Sequence, residues 1–382
     1  SDAESSQIFN VMYGNQQNLF DRGQFLDKLS KSIGAELPWK YQKIVISEQS
    51  TSSRKSHLWL TCECLASIHG NNNSSTSDMK FHKYVPWACV ASHLKSVNIE
   101  RELSENAIDP GEIFHITPDL IQVPISTTQD RKIFDGRAFC FLPLPINTGL
   151  PVHVNAYFEL SSNRRDIWFG NDMAGGGKKR SDWNMHLLED VAAPAYGRLL
   201  EIVAQEIGPC DLYFSFWPTA VGVEPWGLLV RRLYDFISEF ELRVLYTRAR
   251  ARGGQWITTK QAIFPDYSFE KASELVDVLS DAGLPVVMMP KVLVEKFMEI
   301  SSSLHFLTPQ LLRRLLIRRK REFRDRSAMT LALEYCLLDL KSPIQSDDFY
   351  GLPLIPLSDG SFTKLEKRGL SERIFVEQGD GY

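Results

Sequence analysis

The 382 residues are too many for one compact core and point to two or three domains. An apolar share of 43% is ordinary for a folded chain, and a net charge of -4 gives no reason to expect a nucleic acid or an anionic membrane as the main partner. No apolar run reaches the roughly twenty residues of a bilayer span, and the opening SDAESSQIFN has neither the basic flank nor the apolar block of a secretory signal.

Six scattered cysteines are too few for a disulfide framework in a chain of this length, so reduced thiols and a cytoplasmic or nuclear setting are expected. The chain starts without an initiator Met and is expected to be a piece of a longer polypeptide.

In chain order, Asp21 and Gln24 form a capping-box pattern ahead of Phe25, Leu26, Leu29 and Ile33, which predicts a helix stopped by Gly34. Strands are expected around 43–46, 57–65 and 87–91, with a polar loop at 71–77 and a surface connection at 100–111.

The most informative stretch runs from Arg137 to Gly170. An apolar run, Ala138 to Leu144, meets a Pro/Asn/Gly turn and then a second run, Val152 to Leu160, whose Val152, Val154, Ala156, Phe158 and Leu160 alternate with polar neighbours. That alternation predicts a half-buried strand. It ends in Ser161, Ser162, Asn163, Arg164 and Arg165, which is either a solvated strand end, the commoner case, or a platform for an anion.

A glycine-rich basic loop follows, and Ser181 or Asp182 is expected to cap a helix starting near Trp183, with Leu188, Ala192, Leu199, Ile202 and Val203 on one face and Pro194 as a break. Gly175 to Gly177 followed by Lys178 and Lys179 fails as a P-loop, because Asp172 stands where the first glycine belongs and Lys179 where Ser or Thr must hold magnesium. Cys62 and Cys64 share a strand face with Leu58 and Leu60, which makes them core residues before metal ligands. No G-x-S-x-G or H-E-x-x-H pattern supports a hydrolase, and Cys140 sits in an apolar strand.

Beyond Gly208, helices and short strands alternate: a helix over 228–240, a strand near 243–246, an extended segment over 256–264, helices over 269–279 and 292–300, and a long basic helix from Pro309, capped by Thr308, to about Arg326. A helix over 329–340 leads to a hairpin turned by Asp359 and Gly360. Gly-Leu-Pro recurs at Gly149, Gly283 and Gly351, each time leading into a strand. The basic helix 309–326 is expected to show a solvated cationic face, which an acidic patch on a partner domain would suit better than a nucleic acid would.

The stretch GRAFCFLPLP…TGLPVHVNAYFELSSNRRDIW, followed by LLEDVAAPAYGRLL, resembles the repeating regions of the sacsin family of large chaperone-like proteins, plant members included. The match is dense over Gly136 to Leu200 and diffuse beyond. In that family each repeat begins with a nucleotide-binding domain of the GHKL class (gyrase, heat-shock chaperone, histidine kinase, MutL), followed by a middle segment. This chain has no D-x-G-x-G lid motif, so the resemblance implies the middle segment without its ATPase head.

The fold implied is α/β of the α+β kind. Residues 1–208 would resemble the second, ribosomal-protein-S5-like domain of GHKL ATPases, and 209–382 would form a helix-rich α/β module with two GLP-strand units. The resemblance further implies no catalysis by the chain alone and no cofactor within it, with ATP and magnesium on an upstream domain of the same polypeptide. Client proteins or co-chaperones would be the other partners, and a structural scaffold is the plain alternative.

The second domain of those ATPases lends one basic side chain to the terminal phosphate of ATP, just after a strand that begins at a Leu-Pro step. The matching positions are Arg164 first and Arg165 second, with Asn163, Lys178 and Lys179 as lesser candidates for contacting the nucleotide.

Overall fold

A computed structural model describes residues 8–13, 38–49, 54–66, 85–99, 135–170, 176–219, 223–249, 254–300, 304–318, 323–340 and 349–364. The helix expected over 21–34, the loop 71–77 and the connection 100–111 lie outside the described residues. The chain is mixed α/β and divides into two units, Ser1–Leu242 and Arg243–Tyr382.

The first unit is built on a seven-stranded sheet of order β1-β2-β3-β4-β7-β5-β6. Its strands are β1 (Ile8–Tyr13), β2 (Trp39–Gln49), β3 (Arg54–Leu65), β4 (Trp87–Ile99), β5 (Arg137–Cys140), β6 (Leu142–Asn147) and β7 (His153–Ala156). All neighbours pair antiparallel except β5 and β7, which run parallel. The pleat sorts side chains by parity. Leu60, Cys62 and Cys64 of β3, Ala88 and Val90 of β4, Val154 and Ala156 of β7 and Ala138 of β5 share one buried face.

Helices cover that face. α1 (Gly177–Leu187) runs through a π-helical turn, Leu188–Ala192, into α2 (Ala193–Ile207), which packs on β3 and β4. Pro194, expected to break the helix, sits in the first turn of α2 directly after the π-helical turn, where its missing N–H is tolerated. Leu187, Leu188, Leu199 and Leu200 are fully buried here, each worth roughly 1.5–3 kcal/mol of apolar burial.

The unit does not end at Gly208. After the single turn α3 (Asp211–Phe214), α4 (Trp226–Glu239) returns against α2. Tyr196 donates a 2.6 Å hydrogen bond to the Phe216 carbonyl, and the Cα of Gly197 faces the Phe236 ring so closely that an added Cβ would lie 2.9 Å from it. The break therefore falls some thirty residues later than the glycine suggested, because the apolar face of α4 needs α2 as its cover.

The expected single strand over 138–144 is two. Phe141 takes a left-handed φ of 61°, and the chain reverses there so that Cys140 pairs with Leu142 across a tight hairpin. The edge strand β6 carries Pro143 and Pro145, which remove donors from the outer rim of the sheet.

In the second unit β8 (Leu245–Thr247) pairs with β9 (Gln255–Ile257), and β10 (Ile355–Pro356) with β11 (Phe362–Thr363) around the expected Asp359-Gly360 turn. The helices are α5 (Ala272–Asp281), α6 (Lys291–Ile300), α7 (Pro309–Arg318) and α8 (Arg326–Leu337). Leu275, Leu279, Leu312, Leu316, Ala332 and Tyr335 meet in one core. The expected strand after Gly283 reduces to a single parallel bridge, Ile263 with Val286, though Val286 and Val287 are fully buried as expected. All three Gly-Leu-Pro glycines adopt left-handed backbone, at φ 68°, 78° and 83°, and the leucine after each is buried.

Candidate functional site

The second run of the central stretch hydrogen-bonds as a strand only over His153–Ala156. Beyond it the chain forms a small hairpin whose stem is a bridge between Leu160 and Ile167, with the Trp168 N–H donating to the Glu159 carbonyl at 2.8 Å. Arg164 and Arg165 stand at its tip, exposed.

Short polar side chains shape that tip. The Asn163 Oδ1 accepts the Arg165 N–H at 3.0 Å, an Asx turn, and also the Ser161 hydroxyl at 2.6 Å. The Ser161 Oγ accepts the Asp166 N–H at 3.1 Å, and the Arg164 N–H reaches the Ser161 carbonyl at 2.8 Å. Arg164 itself is held at φ 56°, a left-handed conformation that costs a non-glycine residue about 1 kcal/mol. Asn163, one of the residues proposed to touch a nucleotide, thus spends its carbonyl on the turn.

Among the described residues neither guanidinium at the tip has an ion-pair partner, whereas Arg180, Arg198, Arg231 and Arg232 of the same unit each hold a carboxylate. Arg164 lies near enough to Cys140 to act on its thiol. Burial pushes that thiol up, while the Phe158 carbonyl it bonds at 3.6 Å and the Arg164 charge pull it down.

Lys178 and Lys179 do not sit in a flexible loop. They lie in the first turn of α1, which starts at Gly177 after a left-handed Gly176 (φ 82°), earlier than a cap at Ser181 or Asp182 would place it. That turn carries no acidic residue, so two exposed cations oppose the positive end of the helix dipole. Ser181 is buried inside the helix and its Oγ takes the Gly170 N–H at 3.4 Å.

α1 is fastened to the arginine hairpin by a residue that composition and motif reading pass over, Asn184. Its amide makes three hydrogen bonds of 2.8 Å to the hairpin stem, and Trp183 donates to the Tyr157 carbonyl at 2.8 Å. The signal was present in the sequence: Asn184 precedes Leu187, Leu188 and Val191 at helical spacing, an amide on a buried stripe.

The sheet face away from the helices is polar and aromatic. Trp59 stacks on His153 and meets His93 edge-on, and His57 Nδ1 lies 3.4 Å from His93 Nε2. His153 Nδ1 accepts the Arg137 N–H at 2.9 Å, and burial and the Arg137 charge hold its pKa down. Among the described residues no group of three or more His, Cys, Asp or Glu is placed to hold a metal ion. Cys62 is fully buried and its thiol is pushed up by burial and by Cys64, as inert as its place among leucines suggests.

The basic helix is less open than expected. α7 is described as far as Arg318, the backbone at 323–325 is not helical, and Arg313 is buried and bound to Asp339, so the cationic face loses one of its central members. Thr308 caps as predicted, its Oγ taking the Leu311 N–H at 3.1 Å. No described helix is long and apolar enough to cross a membrane.

Fold and site together define a mixed α/β protein with a helix-backed sheet that presents two exposed guanidinium groups, without an ion-pair partner among the described residues, on a braced hairpin. No family model matches the chain, and no solved structure does. The chain is sacsin-like: human (Homo sapiens) sacsin is 26% identical over an alignment of 346 residues that covers 84% of this chain. The chain spans only about 7% of sacsin's length.

Proposed function

We propose that this chain is the middle segment of a chaperone repeat, in which Arg164 serves the terminal phosphate of ATP held by a GHKL-class domain upstream in the same polypeptide. The observation that carries the reading is the pair of exposed guanidiniums with no carboxylate partner among the described residues, on a hairpin shaped by its own hydrogen bonds, in a unit where Arg180, Arg198, Arg231 and Arg232 are ion-paired. A permanently charged, pre-placed donor is what developing phosphoryl charge requires.

In this reading the helix-backed sheet takes the part of the S5-like second domain of those ATPases. Lys178 and Lys179 add positive potential from the first turn of α1, and Arg165 is the second candidate for the phosphate. The nucleotide and its magnesium belong to the upstream domain, and the segment alone neither binds ATP tightly nor hydrolyses it. The ATP-dependent state is passed to client or co-chaperone surfaces, in the cytoplasm or nucleus.

The test is ATP turnover by the longer polypeptide that includes the upstream domain. Arg164→Ala is expected to slow it about 100-fold, the scale of losing one transition-state donor, with Arg164→Lys in between. If neither Arg164→Ala nor Arg165→Ala slows hydrolysis, the hairpin is scaffold.

A further inference from the structure

We infer that Asn184 is the positioning residue of the arginine hairpin, an inference that rests on the phosphate-serving reading of Arg164. Asn184 is fully buried in α1. Its Oδ1 accepts the Glu159 N–H, and its Nδ2 donates to the carbonyls of Glu159 and Trp168, all at 2.8 Å. Glu159 and Trp168 are the two sides of the hairpin stem, themselves joined by a backbone hydrogen bond. One amide thus grips both strands at the base of the stem, one residue pair below the Leu160–Ile167 bridge.

This grip does not shape the tip, which Ser161 and Asn163 close by themselves. What it sets is where the stem stands on α1, the helix that carries Lys178 and Lys179 in its first turn. Neighbouring contacts agree in direction: the Arg180 guanidinium lies 5.3 Å from the Trp168 ring centre, and its Nε is 3.9 Å from Glu159. An apolar side chain would fill the same buried stripe, but it would leave a backbone donor and two carbonyls of the stem without these partners. Loss of the amide therefore frees the hairpin to shift on the helix, and a shift of about 1 Å at a transition-state donor is enough to slow chemistry about 100-fold.

The experiment uses the longer polypeptide that carries the nucleotide-holding domain and measures ATP hydrolysis for Asn184→Ala and Asn184→Asp, alone and combined with Arg164→Ala. The Asp variant keeps the shape and the acceptor for the Glu159 N–H but sets a carboxylate against two carbonyls, and it carries the comparison should the Ala variant not fold. Expected are a fall in kcat of about ten-fold or more with KM for ATP nearly unchanged, faster amide exchange over 159–168, and unchanged exchange in α2. In the Arg164→Ala background Asn184→Ala should cause no further loss, because there is no guanidinium left to place.

Equal slowing in both backgrounds, or loss of α2 protection in both variants, would show a general core residue and overturn the inference. So would unaffected turnover in the Asn184 variants while Arg164→Ala is slow, which leaves the phosphate-serving reading standing. Unaffected turnover in Arg164→Ala removes that reading and this inference with it.

Discussion

The Arg313 guanidinium meets both oxygens of the Asp339 carboxylate, at 2.6 and 3.1 Å, and donates as well to the Cys336 carbonyl. The contact ties α7 to the C-terminal end of α8, where unpaired helix carbonyls attract a cation. Only 7% of the Arg313 side chain is exposed, against 38% of that of Asp339. Removing the arginine leaves a carboxylate that can recover water, so Arg313→Ala is expected to cost about 2 kcal/mol, below the range for a fully buried pair. Asp339→Asn keeps one acceptor but leaves the buried guanidinium without its counter-charge, and should cost at least as much. Denaturant titration of the whole chain, with amide exchange in α7 and α8 to assign the change to this unit, checks both. An Arg313→Ala protein as stable as its parent would show that the pair contributes nothing.

Tyr335 of α8 does comparable work at the turn ahead of α5. Its hydroxyl donates to Asp266 Oδ2 at 2.8 Å and reaches the Leu307 carbonyl at 3.2 Å, while Asp266 Oδ1 accepts the Ser268 N–H at 3.0 Å and its hydroxyl at 2.6 Å. Tyr335→Phe keeps the ring packed against Phe269 and strands two acceptors, so it should cost about 1–2 kcal/mol. Asp266→Ala loses the turn as well as the tyrosine and should cost more. The order of the two denaturation midpoints tests this, and a larger loss for the tyrosine variant would contradict it.

Gly136 has no room for a side chain. A Cβ there would lie 2.0 Å from the Val152 carbonyl oxygen and 2.3 Å from that of Leu150, both backbone atoms that cannot yield without parting β5 from β7. Gly136→Ala is expected to cost more than about 3 kcal/mol, in the range kept for disrupted cores and strained backbone. Gly149→Ala is the control: nothing lies within 4 Å of its Cβ position, and only the left-handed φ of 68° opposes it, at about 1 kcal/mol. Thermal melting of the two variants should separate them clearly, and equal losses would mean that crowding at Gly136 is relieved by a local shift.

What could be read from the chain and what could not divides along a physical line. Alternation placed Leu60, Cys62 and Cys64 on the buried face, and Thr308-Pro309 and Asp359-Gly360 marked a cap and a turn, because each is decided by a few adjacent residues. The reversal at Phe141 was missed because a left-handed phenylalanine carries no local signal; the Asn155 Oδ1 that accepts its N–H at 3.0 Å is fourteen residues away. Arg313 looked solvated for the same reason, its partner lying twenty-six residues on. The hairpin bearing Arg164 and Arg165 was legible as the end of an alternating run, but its brace was not, since Asn184 acts on Glu159 and Trp168 from another element.

His153 should make the sheet of the first unit sensitive to mild acid. Its Nδ1 accepts the Arg137 N–H, which requires the neutral ring, and burial together with the Arg137 charge holds its pKa below the ordinary histidine range of about 6.5. Between the two values the unfolded chain binds a proton that the native ring does not, so native stability falls as pH drops through the ordinary range and the loss is complete below the native value. His153→Gln retains an acceptor and cannot titrate. Its stability relative to the parent should therefore improve on going from pH 8 to pH 5. Chemical denaturation of both proteins at several pH values measures it, and a gap between them that stays constant with pH would show that His153 titrates alike in the folded and unfolded chain.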